Sequence, residues 1–207
     1  MLVCITRVVC CFHLFTLKPS HEGCDDSGEG RLLPIICIPI GVDEDLLAMA
    51  LREVERSLPG TKCIIQRAES PIDLSTAFVR RRNQHLADTI LKSLPAPEGD
   101  SRLIGVVDVD IYSGSLNFVF GIAELPGKRA LVSTYRLQLG NVPHELLVER
   151  LTKEIVHELG HTFGLRHCSN KRCVMCFSNS IMDTDYKSAR LCEICFEKYR
   201  HATSRPD

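Results

Sequence analysis

The feature that most constrains this chain is the stretch HELGHTFGLRHC, set within some twenty residues of helical pattern that begin at Pro143. With His157 as origin and about 100° per residue, His161 falls about 40° away, on the same face and one turn on. Val148, Leu151, Ile155, Val156, Leu159 and Phe163 gather at roughly 120–260°, on the opposite side. A helix over about residues 144–165 is therefore expected to bury one side against a sheet. Its other side presents two imidazoles, with Glu158 beside them. Gly164 lets the chain leave the helix through a left-handed conformation, and the turn can then return His167 to the first two histidines. Three neutral imidazoles and one water make the open tetrahedral arrangement of a catalytic zinc. A neighbouring carboxylate, Glu158, is placed to take a proton from the zinc-bound water. A bare H-E-x-x-H is a weak signal; the added Gly164 and His167 make this one specific.

Eleven cysteines are present, and five of them (Cys168, Cys173, Cys176, Cys192, Cys195) fall close behind the histidines. The other six (Cys4, Cys10, Cys11, Cys24, Cys37, Cys63) are scattered over the first third. An odd total argues against a fully paired secreted protein, and the cluster reads as metal ligands in a reducing compartment, so the cytoplasm is the expected location. Adjacent residues point in different directions, so His167 and Cys168 are expected to serve two neighbouring ions. A closed four-cysteine site stabilises structure and suits a small C-terminal segment with a thin core. Spacing favours Cys173-x-x-Cys176 with Cys192-x-x-Cys195, a zinc-ribbon pattern. The other set, Cys168, Cys173, Cys192 and Cys195, leaves Cys176 as a small buried residue.

The formal net charge of −1 supplies no field for nucleic acid or an anionic membrane, and neither is expected as a partner. Arg80-Arg81-Arg82 reads as a solvated helix face. Residues 2–17 are apolar but interrupted by Arg7 and His13, and fit neither a membrane helix nor a signal peptide. Residues 1–31 are expected to be an extension and linker, and residues 32–207 the domain. Within it, Leu33–Ile40 reads as a buried strand, and Asp43 as the N-cap of a helix ending before Pro59-Gly60. Thr61–Gln66 is expected to be a strand and Asn83–Leu94 a helix. Leu103–Val109, Leu116–Ala123 and Ala130–Arg136 read as three more strands, the second a candidate exposed edge near the site.

The stretch HELGHTFGLRHCSNKRCVM, followed by CEIC, resembles the archaemetzincins, a metzincin family of zinc metallopeptidases. IICIPIGVDEDLL resembles that family's first strand and helix. The resemblance implies an α+β, zincin-like fold: a twisted mixed β-sheet backed by helices, with a short zinc-stapled C-terminal subdomain at 168–195. It implies two zinc ions, a catalytic one on His157, His161 and His167 with Glu158 as general base, and a structural one on Cys168, Cys173, Cys192 and Cys195. It also implies a methionine beneath the catalytic ion, with Met175 the match and Met182 the competitor. Tyr186 lies further along than the tyrosine many metzincins carry there. The activity implied is hydrolysis of peptides or proteins, with aminopeptidase action a feature of some relatives. The alternative is a zinc-stabilised peptide-binding protein with little turnover; an intact Glu158 favours the enzyme.

Overall fold

The computed structural model describes residues 32–140 and 142–204. The expectations for residues 1–31 lie outside the described residues. Strand β1 (Leu33–Ile40) is a continuous apolar run, and it pairs in parallel with β2 (Thr61–Ile65) on one side and β5 (Arg102–Val107) on the other. The helix between β1 and β2, α1 (Glu44–Ser57), starts where the Asp43 carboxylate accepts the Leu46 amide at 2.8 Å. Two small strands, β3 (Phe78–Val79) and β4 (Gln84–Leu86), precede helix α2 (Ala87–Ser93). After β5 come β6 (Ile111–Tyr112), β7 (Gly121–Ala123) and β8 (Arg129–Ser133). The main sheet runs β2-β1-β5-β8-β7, parallel except for the antiparallel edge strand β7. Strands β3, β4 and β6 form a second, three-stranded sheet.

Alternation along the strands assigns the two faces of the main sheet. Ile35, Cys37, Ile104, Val106, Ala130 and Val132 join the core formed with α1 and with α3 (His144–Thr162). Ile38, Leu103, Val107 and Leu131 pack against α2 through Ala87, Ile90, Leu91 and Leu94. Covering both faces is what requires unbroken apolar runs such as IICIPI. Two short helices, α4 (Ile181–Tyr186) and α5 (Glu193–Thr203), complete the order, and residues 31–207 form one compact unit. No helix among the described residues is long and apolar enough to cross a membrane.

Three elements differ from their sequence patterns. The helix expected from Asn83 begins at Ala87, because residues 84–86 are taken into the small sheet by β3 and β6. In the expected strand Leu116–Ala123 only Gly121–Ala123 forms a ladder. The Arg82 guanidinium binds the carbonyls of Leu116 and Asn117 at 2.9 and 3.0 Å, so these face a side chain instead of a partner strand. Residues 80–82 form a turn, not a helix face, and Arg82 lies over the Tyr112 ring at 3.9 Å.

Candidate active site

Helix α3 is buried from Arg150 through Thr162, so its chemical side is covered as well as its apolar side. Helical spacing predicts a presented face; the structure instead lays the 173–187 segment over it. His157 and His161 sit one turn apart, their ring centroids 4.7 Å from each other. The helix ends as the glycine requires: Gly164 adopts φ +85°, its amide bonds the His161 carbonyl, and the Leu165 amide bonds the Gly160 carbonyl. That exit brings the exposed His167 ring to 5.3 and 4.9 Å from the rings of His157 and His161. One nitrogen from each of the three histidines lies within 4.8 Å of the others.

Each buried imidazole has its tautomer fixed by a backbone carbonyl. His157 Nδ1 donates to Val174 O, and His161 Nδ1 to Leu165 O, each at 2.7 Å. Both Nε2 atoms are therefore bare, yet they stand 3.2 Å apart. Two lone pairs facing at that distance repel unless a cation lies between them. Tetrahedral bonds of about 2.0–2.1 Å to zinc set nitrogens roughly 3.3 Å apart, so the pair fits that ion. Burial holds His157 well below the ordinary histidine range, with Lys187 adding to the effect, and lowers His161 and, to the extent that it is covered, His167.

Glu158 lines an open cleft of about 180 Å³ together with Glu154, His157, residues 116–121 and residues 177–179. Burial, then repulsion from Glu154, pushes its carboxyl well above the ordinary carboxylate range, and the Lys187 ammonium pulls the other way. Gly121 of the edge strand lies directly against it, since a Cβ there would stand 2.6 Å from Glu158 Cγ. Met175 is fully buried with its sulfur packed directly against Gly160, in the same helix turn as His161. Met182 is exposed. Tyr186 is exposed too, its ring under the Arg172 guanidinium at 5.1 Å.

Two neighbours of the site carry little sequence signal. Glu154 precedes Glu158 by one turn and so shares its face, which helical spacing alone could have flagged. Lys187 belongs to no pattern, yet its ammonium is buried 3.0 Å from Glu154 Oε1, and its other donors meet no acceptor among the described residues. Thr184 also donates to Glu154 Oε1, at 3.1 Å.

The thiols that converge are those of Cys168, Cys173, Cys192 and Cys195, their sulfurs within 4.8 Å of one another. Cys168 and Cys192 lie 3.8 Å apart, the separation that tetrahedral Zn–S bonds of about 2.3 Å produce. Cys176, which the ribbon spacing favours, directs its sulfur towards Phe177 O at 3.7 Å. The reason is local. Residues 173–176 form a tight turn, closed by the Cys176 amide on Cys173 O, so Cys176 leaves the cluster that Cys173 enters.

A zincin-like sheet with a buried H-E-x-x-H helix defines a metallopeptidase scaffold, and comparison with known proteins gives the same class. The model of peptidase family M54 matches residues 58–201, and the chain belongs to that family of metallopeptidases. It is 45% identical over 168 residues to an archaemetzincin of Methanocaldococcus jannaschii, covering 79% of this chain and 91% of that protein. An archaemetzincin of Pyrococcus abyssi is 45% identical over 186 residues, 83% of this chain and 96% of the relative. The crystal structure of Methanopyrus kandleri archaemetzincin superposes with a TM-score of 0.75 at 35% identity, over 86% of this chain and 99% of that one.

Proposed function

We propose that this metallopeptidase hydrolyses peptide bonds at a zinc held by His157, His161 and His167, with Glu158 as general base. A second zinc on Cys168, Cys173, Cys192 and Cys195 supports the structure. The observation that carries the reading is the pair of bare Nε2 atoms, 3.2 Å apart and locked by carbonyls behind them.

A zinc ion held by His157, His161 and His167 would supply Lewis acidity, lowering the pKa of a water and polarising the scissile carbonyl. Glu158 takes the proton that this water loses and passes it to the departing amine. The peptide lies as an added strand along β7, an antiparallel edge whose Gly121 sits over Glu158. Residues 177–179 bound the cleft on its other side.

The test is Glu158→Gln, assayed on internally quenched peptides and on amino-terminal fluorogenic substrates, the second set reading the aminopeptidase action that the resemblance implies. Hydrolysis is expected to fall at least about 100-fold with the metal content unchanged. A parent chain that binds peptides without cleaving either set overturns the enzyme reading, as does a variant as active as the parent.

A further inference from the structure

We infer that the four-cysteine group is the positioning element of the three-histidine site, acting through the turn Cys173–Cys176 and the dipeptide His167-Cys168. The inference rests on the two-ion reading above. Its readout is ion affinity and not turnover, so either can fail while the other stands.

The turn serves both sites in consecutive residues. Cys173 sends its sulfur into the thiol group. The next carbonyl, of Val174, accepts the His157 Nδ1 proton at 2.7 Å and so decides which nitrogen of that ligand is bare. The next residue, Met175, sets its sulfur against Gly160, and its carbonyl accepts the Cys168 amide at 2.9 Å. Cys168 belongs to the thiol group and directly follows His167. The circuit is therefore closed: two of the three histidines are held from the thiol group. His161 alone is held from within, by Leu165 at the end of its own helix.

The turn itself is packed in the core through Cys173, Val174 and Met175, and its Val174 amide bonds Arg190 O at 3.0 Å, but the loop that joins it to Cys168 is thinly held. Residues 169–172, which join Cys168 to Cys173, are all exposed and contribute nothing to the core. Their backbone is tied by the Cys173 amide on Asn170 O and the Ser188 amide on Arg172 O, at 3.0 and 2.9 Å. Within the thiol group the contacts include long sulfur hydrogen bonds, Cys192 N to Cys173 Sγ at 3.3 Å and Cys168 to Cys192 at 3.8 Å. Such bonds are weak, whereas a bound zinc contributes folding free energy directly. Outer partners of a histidine ligand, when lost, typically cost about 10–100-fold in metal affinity. Here one loss at the thiols reaches two ligands.

The experiment uses the full chain and cobalt(II), whose thiolate charge-transfer bands report the cysteine site apart from the d–d bands of the histidine site. In Cys195→Ser, altered on α5 and away from every histidine, the histidine-site affinity is expected to fall 10–100-fold. In Cys195→His, which keeps four ligands, it is expected to return to within about threefold of the parent. Parental affinity in a folded Cys195→Ser overturns the inference. Should that variant fail to fold, the unaltered chain decides the matter. Stripped of metal and titrated with cobalt, it is expected to complete the charge-transfer bands before the histidine bands rise. Histidine bands that saturate first overturn the inference.

Discussion

Replacing Lys187 with methionine removes an ammonium whose side chain is 1% exposed, 3.0 Å from a carboxylate that is 4% exposed. At that distance, and at an effective dielectric constant of about 20, the gross attraction is about 5.5 kcal/mol. Much of it is offset by the desolvation of both ions, so the intact pair adds little net stability. The cost appears when one partner goes. Glu154 would keep only the Thr184 hydroxyl, inside a site where Glu158 already repels it. Lys187→Met is therefore expected to destabilise the domain by about 3–5 kcal/mol, a large part of a typical total of roughly 5–15 kcal/mol. Glu154→Leu, which strands the ammonium, should cost a similar amount. The double variant should lie within about 1 kcal/mol of the parent, giving a coupling energy of at least about 5 kcal/mol. Urea unfolding of the zinc-saturated proteins, followed by far-ultraviolet circular dichroism, measures all four corners of the cycle. Single changes that each cost under about 1 kcal/mol and simply add would refute the reasoning.

Two further outcomes follow from the geometry. Gly121→Ala places a methyl 2.6 Å from Glu158 Cγ and 2.7 Å from the Leu131 carbonyl; displacing the base by about 1 Å should lower kcat about 100-fold while circular dichroism stays unchanged. Peptidase assays with a parental rate would show that Glu158 does not depend on this contact. Asp43→Ala removes the cap on the Leu46 amide, a bond made far from the cleft. It should cost about 1 kcal/mol in urea unfolding and leave kcat/KM unchanged.

Local signals carried α3 and the first strand. Helical spacing and Gly164 place α3 within a few residues of where it lies, and the apolar run at Leu33–Ile40 is β1 from end to end. The rest depends on partners distant in sequence. Nothing in residues 144–165 reveals that 173–187 will cover their polar side, so a helix that reads as amphipathic is in fact buried all round. Leu116–Asn117 has strand composition, yet Arg82, more than thirty residues earlier, occupies its carbonyls. Spacing also misjudges the cysteines, because C-x-x-C counts residues while the turn at 173–176 sends its two sulfurs apart. Lys187 is invisible for a deeper reason: a buried lysine is marked only by the carboxylate that meets it.

The unequal burial of the three histidines has a consequence for how the ion arrives and leaves. His157 and His161 are enclosed and held by carbonyls from behind, whereas His167 is exposed, on a turn beside the Phe177 ring. In the proposed site an ion would be open to solvent and to a competing chelator on the side of His167, so release is expected to begin at that ligand while the two enclosed helix nitrogens are still engaged.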